Sequence, residues 1–153
     1  MELKLFEWVV DLSEDYRQAQ TKAHIEIHYE MYSFFLRFGK EIINSPFKKE
    51  YGDKLYDMLS RELNKPSSNR IFTPFNIKNI ERFSLLYGEE VEKDDQLLKS
   101  LSRLPWDYHV NIILASELNT TKAIFYVNKT IENSWSSEQL ARNIASNLYE
   151  NAA

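Results

Sequence analysis

Apolar residues recur every three or four positions between Lys22 and Asn44, at Ile25, Tyr29, Tyr32, Phe35, Leu36, Ile42 and Ile43. That period predicts one long amphipathic helix, ended by Asn44-Ser45-Pro46. Gly39 lies inside it, where glycine costs about 1 kcal/mol against alanine, so close approach of another backbone is the expected reason for it. A second helix is predicted from about Tyr51 to Asn64, with Leu55, Leu59 and Leu63 on one stripe, followed by a loop at Lys65-Pro66-Ser67-Ser68-Asn69. Thr73-Pro74 couples a hydroxyl N-cap to proline at the first helical position. The third helix it opens carries Ile77, Ile80, Phe83 and Leu86 inward and is expected to stop near Gly88.

The acidic stretch from Gly88 to Asp95 reads as a solvated loop, and Leu97, Leu98 and Leu101 as a brief helical turn. Pro105 opens a helix with Val110, Ile113 and Leu114, and another from about Thr121 uses Ile124, Val127 and Ile131. The last starts at Ser136, with Gln139 completing a capping-box pattern, and buries Leu140, Ile144 and Leu148. The one β-like run is Ala123-Ile124-Phe125-Tyr126-Val127, too short to change the class. The expectation is an all-α, multi-helix domain over residues 1–153.

Composition narrows the function classes. The chain has 153 residues, 43% of them hydrophobic, with 9 Phe, 9 Tyr and 3 Trp, which is ample for a packed core. Zero cysteines exclude disulfides, thiolate metal sites and cysteine nucleophiles. A net charge of -4 argues against a protein that coats nucleic acid through bulk charge. No apolar run approaches a membrane span and the N-terminus lacks the features of a signal peptide, so a cytoplasmic location is expected.

Two segments are more specific than periodicity. The first comprises Tyr51-Gly52, Leu59-Ser60, Leu63, Phe72-Thr73, Asn76-Ile77, Ile80 and Phe83; the second Leu104-Pro105-Trp106, Phe125-Tyr126, Trp135-Ser136 and Leu140. With Phe38-Gly39-Lys40 and Ile42 upstream, their order and spacing resemble the N-terminal domain of the YhcG-type family of bacterial proteins over about residues 16–150. That resemblance implies a helical domain with a helix-turn-helix-like unit, winged or unwinged, at about 51–87. In longer members the domain is joined to a C-terminal nuclease domain of the PD-(D/E)xK type, which is not expected within this chain. The sequence departs from the pattern at three places. Ile71 stands where glycine is usual, Tyr51 replaces tryptophan, and His109 follows one position later than the usual histidine after Trp106.

The candidate DNA-reading face lies at the start of the third helix, where Phe75, Lys78, Asn79 and Arg82 are expected outward. An amide can pair with an adenine edge, cations with guanine or phosphate, and an apolar side chain with a thymine methyl. Lys48, Lys49, Lys54, Arg61, Lys65 and Arg70 are candidate phosphate contacts. Residues 48–83 hold eight Lys/Arg and five Asp/Glu, a local +3 that leaves -7 elsewhere. The proposed reader is thus a basic island in an acidic chain. The alternative is an ordinary solvated helix pair.

Trp106 and Trp135 are expected in the core beside helix starts. His24 and His28 have the i, i+4 spacing of metal ligands but lack supporting ligands and the His-Glu-x-x-His order of a zinc protease, so neither metal nor cofactor is expected. No catalytic set is recognisable. The reading is a non-enzymatic DNA-targeting module whose partners are double-stranded DNA and an associated nuclease domain or chain. The second reading is a helical protein-interaction or homodimerisation module.

Overall fold

The computed structural model describes residues 3–64 and 71–152. Nine helices are present among them, and no strand: α1 Leu3–Asn44, α2 Pro46–Tyr51, α3 Lys54–Asn64, α4 Pro74–Lys93, α5 Asp95–Leu101, α6 Trp106–Ser116, α7 Thr120–Asn133, α8 Ser137–Ala145 and α9 Leu148–Ala152. The all-α expectation holds, and the β-like run 123–127 lies inside α7. No helix among the described residues is long and apolar enough to cross a membrane.

α4 is the central element, packed against α1, α3, α5, α6 and α7. Ile77, Ile80, Phe83, Leu86 and Tyr87 bury themselves along it. Phe83 is fully enclosed by the rings of Tyr32, Tyr87, Trp106 and His109. Tyr32 donates from its hydroxyl to the Leu104 carbonyl at 2.6 Å, tying α1 to the turn before α6. Trp106 packs edge-on against Phe35 and Phe83, and Trp135 sits half-buried against the same core, as expected.

α1 and α4 run together where Gly39 faces α4. A Cβ built on Gly39 would lie 2.5 Å from Ser84 Cβ and 2.8 Å from the Ile80 carbonyl oxygen. The Ser84 hydroxyl also donates to the Leu36 carbonyl at 3.0 Å, across the same contact. Absence of a side chain at Gly39 is what lets the two backbones approach.

Local signals placed several helix ends. Thr73 Oγ1 accepts from the Asn76 amide at 3.1 Å, with Pro74 at the first position. Ser136 and Gln139 form the reciprocal capping box. Other boundaries differ from the sequence reading. α1 begins at Leu3, not near Lys22, and Ser45-Pro46 both ends α1 and starts α2, with the Ser45 hydroxyl accepting from the Phe47 amide. α4 passes through Gly88 to Lys93, so most of the acidic stretch is helix and not loop. The strong helix formers Glu89, Glu90 and Glu92 offset the single glycine. On α6 the inward residues are His109, Ile112, Ile113 and Ser116, whereas Leu114 is exposed. The loop expected at 65–69 lies outside the described residues.

Candidate nucleic-acid interface

The end of the molecule built from α2, α3 and the first half of α4 rests on a small core of Ile42, Tyr56 and Ile77. Asn76 anchors the start of α4 by donating to the Ile71 carbonyl at 2.8 Å, and Asn64 at the end of α3 donates to the Phe72 carbonyl at 3.1 Å. Gly52, at φ +58, supplies the left-handed turn between α2 and α3. The orientation of the surface cations follows from these fixed helices.

Beneath the surface lies a buried carboxylate. Glu81 is 6% exposed and accepts from Lys48 Nζ at 2.9 Å and from the Tyr56 hydroxyl at 2.8 Å. Burial and the Glu81 carboxylate push the Tyr56 phenol well above its ordinary range. Lys48 is therefore committed to an internal ion pair and is a poor phosphate ligand. Sequence reasoning passed over this network, although Glu81 sits four residues after the inward Ile77, which places it on the core side of α4.

The pair predicts its own stability signature. Lys48→Met leaves a buried carboxylate with one donor and should cost about 2 kcal/mol in urea unfolding. Combining it with Glu81→Gln should recover part of that loss, because the uncompensated charge is gone. Strict additivity in the double variant would contradict the pairing.

The candidate reading face is only partly as expected. Phe75 is 52% exposed, and Lys78 and Arg82 are half-buried on the same stripe. The Lys78 ammonium lies 5.2 Å from the Tyr56 ring centroid. Asn79, by contrast, is fully buried, and its Oδ1 accepts from Arg82 Nη1 at 2.9 Å. It is not available to a base edge. The reason is α4's central position: with five helices packed on it, the outward stripe narrows to Phe75, Lys78, Arg82 and Leu85, and Asn79 falls one position to the side.

Lys49, Lys54 and Arg61 are exposed around this end, as are Phe47, Tyr51 and Met58. Phe47 and Tyr51 stack one turn apart at 6.4 Å on α2. Sequence reasoning did not single out this aromatic pair, whose signal is the interleaving with lysine in Phe47-Lys48-Lys49-Glu50-Tyr51. Lys65 and Arg70 lie outside the described residues.

The histidine pair is not assembled into a ligand set. His28 Nδ1 lies 3.0 Å from the Ser102 carbonyl and its ring stacks on Tyr32, whereas His24 is exposed. Among the described residues no group of three or more acidic or histidine side chains is placed to hold a metal ion.

A family model described as the DUF1016 N-terminal domain matches residues 11–151 of the chain. No curated protein and no solved structure gives a significant match.

Proposed function

The chain belongs to the DUF1016 N-terminal domain family, and from that premise we propose that it is a non-enzymatic module that binds duplex DNA and targets an associated nuclease of the YhcG type. The observation that carries the reading is the set of outward cations Lys49, Lys54, Arg61, Lys78 and Arg82, with Phe75 projecting on the α4 stripe, at an end that also exposes Glu50, Asp53, Asp57 and Glu62. The helix-turn-helix-like assignment to α3 and α4 rests on the resemblance, with α4 as the element nearest the DNA. Burial of Asn79 shifts the proposed chemistry away from amide readout of adenine. What is left outward is suited to phosphate contact and to apolar contact through Phe75. Binding is accordingly modest, weakly sequence-selective and strongly salt-dependent.

Four phosphate contacts would give a slope of log affinity against log salt of about -3.6, a loss of roughly a hundredfold between 50 and 200 mM salt. Lys54→Ala/Arg61→Ala removes two exposed cations that support no internal contact of the candidate network. It should weaken binding about tenfold at low salt and flatten the slope by about 1.8. Fluorescence anisotropy of a labelled duplex with the intact chain measures both. An unchanged slope, or no binding at low salt, defeats the reading.

The protein-interaction reading is favoured by a separate feature, the exposed apolar N-terminal part of α1.

A further inference from the structure

Where a cation is fixed in this fold, the usual partner is a carboxylate, as in Lys48 with Glu81 and Lys122 with Glu150. Arg82 is held differently. Its Nη1 donates to Oδ1 of Asn79, three residues earlier on α4, at 2.9 Å, and it forms no ion pair among the described residues. Asn79 has no exposed surface, and its Nδ2 has no hydrogen-bond partner. A buried amide left half-satisfied costs stability, and an apolar side chain at the same place would avoid that cost. The amide has one property that a carboxylate or an apolar group lacks. It fixes the guanidinium without cancelling its charge.

The donor left free is equally specific. Arginine presents five N–H groups in one plane, and Nη1 lies on the side of that plane away from Nε–H. The bond to Asn79 therefore leaves the Nε–Nη2 edge intact, and neither atom donates to another described residue. Two parallel donors on one edge match two oxygens of a phosphate, a fit that lysine cannot supply. Nearby acids do not compete for it. Glu81 is engaged by Lys48 and Tyr56, and Glu117, which shares a shallow hollow with Arg82 and Leu118, makes no ion pair with it.

We propose that Asn79 is a positioning residue that presets Arg82 to hold one DNA backbone phosphate through its Nε–Nη2 edge. The inference rests on the DNA-binding reading and gives one of its outward cations a fixed geometry. The burial that removes the Asn79 amide from base contact is what lets it orient the arginine from below. A preset side chain avoids the ordering cost that a free arginine meets on binding, so orientation and charge contribute separately.

Anisotropy titrations of the full-length chain against a labelled duplex, between about 50 and 200 mM salt, separate the two contributions. Asn79→Ala keeps the charge but releases the guanidinium, so affinity should fall about fivefold with the salt slope unchanged. Arg82→Lys, which leaves the buried amide in place, should show the same pattern. Arg82→Ala should also flatten the slope by about 0.9. Asn79→Asp keeps the acceptor but sets a negative charge on the guanidinium, and should flatten the slope as Arg82→Ala does. The Asn79→Ala loss should be equal for an A·T-only and a G·C-only duplex, because a phosphate carries no sequence. Urea unfolding checks that each variant is folded, and Arg82→Lys decides the question should Asn79→Ala not fold. Full affinity in Asn79→Ala or in Arg82→Lys overturns the positioning role, and a loss confined to the G·C duplex overturns the phosphate in favour of a guanine edge. An unsubstituted chain that fails to bind at low salt overturns instead the DNA reading, and the role with it.

Discussion

Gly39→Ala should destabilise the protein by about 3 kcal/mol, although the same change at an open position in a helix stabilises by about 1. The added methyl meets Ser84 Cβ at 2.5 Å and the Ile80 carbonyl oxygen at 2.8 Å, neither of which is the far end of a flexible side chain. Relief requires α1 and α4 to separate, and that separation strains the Ser84–Leu36 hydrogen bond and loosens the packing of Tyr32 and Phe35 onto α4. Gly88→Ala is the internal control. Gly88 also lies inside a helix, but the nearest atom to its added Cβ is Ser84 Oγ at an ordinary 3.6 Å. It should be neutral or stabilising by up to about 1 kcal/mol. Denaturant unfolding of both variants decides the matter, and a stabilising Gly39→Ala would contradict the close helix approach.

The second large effect is a loss of stability in mild acid, set by His109. Its ring is fully buried; Nε2 donates to the Leu101 carbonyl at 2.8 Å, while Nδ1 has no partner. Neutral imidazole suits this arrangement, since protonation would place a second N–H at Nδ1 with no acceptor. Burial lowers its pKa to about 4, with the bond to Leu101 opposing the shift and nearby His28 adding to it. The folded state therefore holds fewer protons than the unfolded state between pH 6.5, the ordinary histidine value, and about 4. Above pH 6.5 both states are neutral and nothing is lost. Stability falls as pH drops through that window, by about 2 kcal/mol at pH 5 and roughly 3 kcal/mol by pH 4. His109→Gln should be less stable at neutral pH yet show a shallower decline from pH 7 to 5. Urea titrations at three pH values separate the outcomes, and an equally steep decline in the variant would assign the acid sensitivity elsewhere.

Legibility from sequence followed locality. The starts of α4 and α8 were readable because Thr73-Pro74 and Ser136 with Gln139 act within one turn, and the structure contains those bonds. Gly39 was readable because glycine weakens the middle of a helix, a cost that close backbone packing offsets. The outer part of α1 was missed because Leu3, Phe6, Trp8, Val9 and Val10 crowd together without a clean 3.6-residue period when viewed from a single core. Burial of Asn79 and Glu81 depends on which helices settle against α4, a tertiary outcome that sequence spacing does not specify. The exposed Leu114 is the same lesson in reverse, an apolar residue of α6 that found no neighbour to cover it.

The passage of α4 through Gly88 has a consequence for motion in solution. One rigid rod joins Lys78 and Arg82 near its beginning to Glu89, Glu90 and Glu92 near its end, with Asp94 and Asp95 just beyond. The aligned peptide groups of the helix are also positive at the beginning and negative at the end. The end carboxylates reinforce the backbone dipole where most helices oppose it, and the contacts of Lys93 with Glu90 and of Lys40 with Glu92 offset part of that, leaving a cost of about a few tenths of a kcal/mol at most. On the proposed DNA-binding reading, this arrangement would favour approach to the polyanion with the α4 start leading and the acidic end trailing. That bias acts on the encounter rate and fades as ions shorten the range of the field.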